Sequence, residues 1–99
     1  MPFNSEPYPF NWAMVNSVYE VGGVYGLFQY SLQTFKYHCQ YVGKTDNLRR
    51  RLVEHLNNPP VAGLSHFFAE VHSTDAQRSG RERALIAEFQ PIGNTQLRW

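Results

Sequence analysis

A single cysteine, Cys39, occurs in the 99 residues, so no intrachain disulfide can form. That fits a reducing compartment. No apolar run approaches the ~20 residues of a membrane span. The first ten residues lack a basic stretch leading into an apolar one, so no signal peptide is expected. The expectation is a cytoplasmic protein with no membrane partner. Net charge is also small: nine Lys and Arg against eight Asp and Glu leave +1. A protein that holds nucleic acid by charge alone draws its affinity from many phosphate contacts, and this chain has little excess charge for them. His38, Cys39, His66 and His72 do not have zinc-ligand spacing, which argues against a structural zinc site. No repeat or low-complexity segment occurs.

What is present fits one domain with one small core. Aromatic residues make up 15% of the chain, enough to fill such a core with large side chains. The basic residues are clustered: Lys44, Arg49, Arg50 and Arg51 lie close together, as do Arg78, Arg81 and Arg83. A local basic face is therefore available on a nearly neutral chain.

Residues 1–17 hold several prolines and aromatics and read as an irregular arm packed on the domain, with a short helical turn within 11–17. Residues 18–99 form the domain itself. A strand is expected from Gly23 to Tyr30 and a second from Tyr37 to Val42, joined as an antiparallel hairpin. Gly43 is expected to end the second strand, and Thr45 or Asp46 to cap a helix starting near Asn47. Leu48, Leu52 and Leu56 form its buried stripe, with Arg51 and His55 one turn apart on the stripe's flank. Asn57 to Pro60 stops that helix. A third strand follows over Ser65 to Val71, and Ser73 or Thr74 caps a helix reaching Phe89. Glu82 shares that helix's apolar stripe with Leu85, Ile86 and Phe89, an unusual place for a carboxylate. Pro91 ends the helix, Gly93-Asn94 makes a turn, and Trp99 is a candidate to dock. The order strand, strand, helix, strand, helix is α+β, a small antiparallel sheet with helices packed against it.

Gly23-Val24-Tyr25 and Tyr41-Val42-Gly43 resemble the paired tripeptides of the GIY-YIG nucleases, with valine for isoleucine in each. Arg51 lies eight residues after Gly43, where that family has its catalytic arginine, and His55 follows one turn later, where the family often has His or Tyr. Lys44, directly after the second tripeptide, matches the excision-repair branch and its nuclease N-terminal domain. Glu82 stands nine residues before Pro91, with Asn94 three residues further on, as the family's metal-binding glutamate does. The resemblance spans about residues 22–95 and implies a three-stranded antiparallel sheet flanked by helices and metal-dependent DNA cleavage. The link between the tripeptides is longer than usual for the family, and the extra length is expected in the hairpin loop. The arm has no counterpart.

The chemistry can also be reasoned from the residues. Phosphodiester hydrolysis needs a positioned water, a proton acceptor, charge stabilisation on the phosphoryl oxygens and help for the leaving oxygen. Mg²⁺ keeps several waters and commonly takes one or two protein carboxylates, so Glu82 alone suffices for a single Mg²⁺ or Mn²⁺. Arg51 stays charged at any working pH and can bind a phosphate oxygen. Asn94 can position a phosphate or a metal-bound water, and Gly43 and Arg50 complete the substrate-side candidates. The general base is Tyr41, His55 or Tyr25: a phenol would need its pKa of ~10 lowered, whereas imidazole at ~6.5 suits the role unaided. The resemblance favours Tyr41 assisted by Lys44. DNA is the expected partner, with a homodimer or a protein partner supplying specificity. Two other readings stand beside this one. The first is a nucleic-acid-binding module without catalysis. The second is a partner-binding domain that uses Phe3, Tyr8, Phe10 and Trp12.

Overall fold

The computed structural model describes residues 7–96; Phe3 and Trp99 lie outside them. Eight elements follow one another: β1 (Tyr8–Pro9), α1 (Trp12–Val15), β2 (Gly23–Ser31), β3 (Lys36–Thr45), α2 (Leu48–Asn57), β4 (His66–Val71), α3 (Asp75–Phe89) and α4 (Ile92–Gln96). The strands form one antiparallel sheet in the order β1-β4-β2-β3. The expected three strands are therefore four among the described residues. The added one comes from the arm, where Tyr8 and Pro9 pair with Phe67 and His66. Proline lacks an N–H donor, and an edge strand is where a sheet tolerates it.

The first helices are capped as their sequences dictate. Asn11, Asn47 and Thr74 each accept a hydrogen bond from a backbone N–H three residues on, at the starts of α1, α2 and α3. The cap of α2 is thus Asn47, one or two residues later than expected. Thr45 instead ends β3, and its hydroxyl accepts from the Asn47 N–H at 3.1 Å. Gly43 does not end β3, because pairing continues through Gly23↔Thr45. Gly93 and Asn94 lie in the short helix α4 rather than in an open turn.

Helices cover both faces of the sheet. On one face Val15, Leu48 and Leu52 pack against Tyr25, Leu27 and Phe67. On the other, Leu85 packs against Val24, Phe28, Val42 and Phe68. Each fully buried leucine contributes roughly 1.5–3 kcal/mol, well above the ~0–1 kcal/mol of an exposed ion pair such as Arg50–Asp46. Packing of the leucine stripes therefore sets where the helices lie. Glu70 on β4 adds a polar tie, accepting from Arg81 Nε at 2.8 Å and Nη2 at 3.1 Å.

One irregularity controls which way β3 faces. Leu27 pairs with Tyr41, but Phe28 pairs with Cys39, so Gln40 is an extra residue in the ladder. Such a bulge resets the alternation of side chains. Cys39 packs on the α3 side, whereas Tyr41 packs on the α2 side. Just beyond the bulge, Asn94 clamps the strand: its Oδ1 accepts from the Val42 N–H and its Nδ2 donates to the Val42 carbonyl, both at 2.7 Å. β3 is an edge strand, and its outward backbone groups need partners.

Asn94→Ala removes both partners from a buried backbone unit and is expected to cost about 3 kcal/mol, read as a lowered midpoint in urea unfolding. An unchanged midpoint would show that the clamp does not hold the edge.

Candidate functional site

Alternation along β3 sends successive side chains to opposite faces of the sheet. Tyr41 and Gly43 face α2, and Val42 and Lys44 face α3. The site residues named from the sequence therefore fall into two groups, one on each side of this edge strand.

On the α2 side, Tyr25, Tyr41, Gly43, Arg51 and His55 come together. Tyr25 is 1% exposed. Its hydroxyl and His55 Nε2 are hydrogen-bonded at 2.8 Å. The rings of Tyr25 and Tyr41 each lie 5.4 Å from that of His55. Gly43 serves this cluster through its lack of a side chain, since a Cβ there would overlap the Tyr25 ring. Arg51 Nη1 is 3.0 Å from Glu54 Oε1, one helical turn away. Tyr41, Arg51, Glu54 and His55 line an open depression of about 290 Å³ together with Asn58, Pro59 and Pro60.

Burial dominates the titration of this group. It pushes the Tyr25 phenol well above its ordinary value, reinforced by neighbouring Tyr41 and opposed by Arg51. Burial, and then the charge of Arg51, lower His55 to about 4, against a weaker pull from Glu54. Both rings are therefore uncharged at neutral pH, and Tyr25 keeps its proton. Tyr25 is poorly suited to accept a proton from water, and His55 is a weak acceptor whose Nε2 is already engaged.

On the α3 side, Lys44 and Glu82 line a second open depression of about 380 Å³ together with Ser79 and Arg83. Lys44 Nζ donates to Ser79 Oγ at 2.6 Å and lies 3.4 Å from Asp75 Oδ1. Glu82 makes no hydrogen bond or ion pair with any described residue; Arg78, a possible surface partner, donates instead to the His72 carbonyl. A half-buried, unpaired carboxylate beside a polar depression fits a divalent cation that keeps most of its waters. No group of three His, Cys, Asp or Glu converges among the described residues.

Two of the substrate-side candidates lie outside these depressions. Asn94 bonds the Val42 N–H through Oδ1 and the Val42 carbonyl through Nδ2, a structural role beside the contact expected of it. Arg50 points away and pairs with Asp46 at 2.6 Å. Three residues that sequence reasoning passed over are Glu54, Asp75 and Ser79. Their signal was helical spacing: Glu54 is three residues after Arg51, and Asp75 and Ser79 are seven and three before Glu82 on one stripe of α3.

Cys39 is free, and burial raises its thiol to about 12. No helix among the described residues is long and apolar enough to cross a membrane.

His55 is expected to titrate near pH 4 in an NMR experiment. Its folded value lies below the ordinary 6.5, so its contribution to stability is full above pH 6.5 and is lost as pH falls toward 4. A midpoint near 6.5 would contradict the buried geometry. Gly43→Ala, by displacing the Tyr25 ring, is expected to raise that midpoint toward 6.5; an unmoved midpoint would show that the ring does not depend on the glycine.

No protein-family model and no curated protein matches the chain. Solved structures do. The GIY-YIG N-terminal endonuclease domain of UvrC from Thermotoga maritima, bound to magnesium as its catalytic divalent cation, aligns with a TM-score of 0.65 at 22% identity, covering 82% of this chain and 91% of that one. A point mutant of the same domain, also bound to its catalytic divalent cation, aligns with a TM-score of 0.66 at 21% identity over 82% and 91% of the two chains. The folds align over most of both lengths, and by its fold the chain is a GIY-YIG-like domain.

Proposed function

We propose that the chain is a metal-dependent endonuclease that hydrolyses DNA phosphodiester bonds with one Mg²⁺ or Mn²⁺. The observation that carries this reading is the unpaired carboxylate of Glu82 beside Lys44, across a single edge strand from the Arg51, Tyr41 and His55 cluster. The fold shared with a divalent-cation endonuclease domain supports it.

In this reading Glu82 holds the cation, which when bound supplies charge stabilisation to the phosphoryl oxygens. Arg51 binds a non-bridging oxygen, oriented beforehand by Glu54. Lys44, held by Ser79, contributes a second positive charge. Tyr41 takes the proton of the attacking water. Tyr25 and His55 position Tyr41 and Arg51 by packing, and they remain uncharged while doing so. Residues 18–99 form the nuclease domain, and residues 1–17 an arm braced on it through Tyr8 and Pro9. A cytoplasmic setting suits the single unpaired thiol. A second copy or a protein partner supplies whatever specificity the domain lacks.

The test is cleavage of plasmid, branched and single-stranded DNA with Mg²⁺, Mn²⁺ or EDTA. EDTA should abolish cutting. Glu82→Ala and Arg51→Ala should each lower it by about 10²–10³-fold or more with unchanged circular dichroism. Variants that cut like wild type would remove these residues from the site. Salt-dependent DNA binding with no cutting of any substrate would favour a binding module.

A further inference from the structure

The hairpin of β2 and β3 runs past the rest of the sheet. β4 pairs with β2 only from Gly23 to Phe28, whereas Gln29 to Ser31 pair with β3 alone, as far as Ser31↔Lys36. The extra length between the two glycine tripeptides was expected in a loop. It is instead a paired ribbon ending in a turn of four residues, Leu32 to Phe35. An isolated two-stranded ribbon is marginal in water, and this one is braced at its base. The Tyr37 ring lies 4.9 Å from both Tyr30 and His66, and the Tyr30 N–H donates to Ser65 Oγ at 2.9 Å.

The tip presents apolar side chains that the fold does not use. Leu32 is 77% exposed and Phe35 75%. Phe35 has φ of 55°, in the left-handed region. A bulky residue is strained there, whereas glycine enters it freely. Phe35 is held in place by its N–H, which donates to the Ser31 carbonyl at 2.8 Å, and by the Thr34 N–H, which donates to Ser31 Oγ at 3.3 Å. The turn therefore needs the backbone shape but not the ring.

Charge indicates what the ring meets. From Val21 to Thr45 the chain contains no Asp or Glu, and its formal charges in that span are Lys36, at the tip, and Lys44. The acidic residues lie outside the hairpin on both sides. An apolar tip on an acid-free, lysine-bearing ribbon is complementary to a polyanion with exposed apolar faces. Nucleic-acid bases that have lost their stacking partners have that chemistry.

We propose that the β2–β3 tip is a base-stacking wedge. Phe35 and Leu32 pack against unstacked bases, Lys36 meets an adjoining phosphate, and the domain is thereby directed to DNA whose stacking is interrupted at a fork, flap or bulge. The inference rests on the nuclease reading for its partner and extends it to a substrate class.

The experiment compares wild type with Phe35→Gly and Leu32→Ser. It measures fluorescence anisotropy on a forked duplex and on a matched duplex of equal length, cleavage of both, thermal unfolding and sedimentation. Phe35→Gly keeps the turn and removes the ring, so its melting temperature should be unchanged or higher. Wild type should bind the fork about tenfold tighter than the matched duplex. Phe35→Gly should lose about tenfold on the fork, as expected for one base–aromatic stack, Leu32→Ser a smaller but measurable part of that, and each less than twofold on the matched duplex. Cutting of the matched duplex should be unaffected.

Equal binding of fork and matched duplex by wild type, or a fork preference retained in both variants, overturns the wedge while leaving the nuclease reading intact. So does self-association of wild type that Phe35→Gly abolishes without altering DNA affinity, which would make the tip a contact between copies. If wild type neither binds nor cuts any DNA, the nuclease reading falls and the wedge with it.

Discussion

Tyr25 is buried in the middle of the sheet, yet it carries a hydroxyl that must find a partner. A buried polar group left unpaired costs about 1–3 kcal/mol, more than any exposed ion pair on this surface contributes. His55 satisfies it at 2.8 Å. That bond forms because Leu48 and Leu52 seat α2 on the sheet with His55 turned inward, and because Gly43 leaves room for the Tyr25 ring. Arg51, one turn before His55, is brought by the same rotation to the rim, beside Tyr41. The placement of the arginine is thus a consequence of core packing rather than a separate arrangement.

The second constraint is the edge strand. The bulge at Gln40 and the Asn94 clamp on Val42 together decide that Tyr41 turns to α2 and Lys44 to α3. Without the bulge, Tyr41 would share a face with Cys39. A strand that presents an aromatic ring to one depression and an ammonium to the other lets two helices, α2 and α3, serve one edge. The helices are covalently distant, and the strand between them is the common frame.

Much of this was legible from residue spacing. The period of Leu48 and Leu52 located the buried face of α2 and put Arg51 on its flank, but His55, expected on that flank, is buried, and Leu56, expected in the buried stripe, is only partly so. Ser73 or Thr74 marked the start of α3, and Thr74 is its cap. Four features were not legible, for local reasons. Tyr8 and Pro9 join the sheet through tertiary pairing with β4, and a two-residue strand containing proline leaves no periodic signal. The bulge at Gln40 is one unpaired residue in an otherwise regular run. The role of Asn94 depends on an edge strand 52 positions away; its spacing after Pro91 suggested a polar contact but not that the contact is with backbone. The extra length between the tripeptides was visible, but the pairing that makes it a ribbon depends on tertiary bracing by His66 and Ser65.

The most direct test of the site follows Mn²⁺ into the isotopically labelled protein by paramagnetic broadening of backbone amides. Saturable broadening is expected, centred on Glu82 and extending to Lys44 and Ser79, which line the same depression, with both effects lost in Glu82→Gln. Broadening centred on other carboxylates, or left unchanged in Glu82→Gln, would contradict a metal site built on this residue.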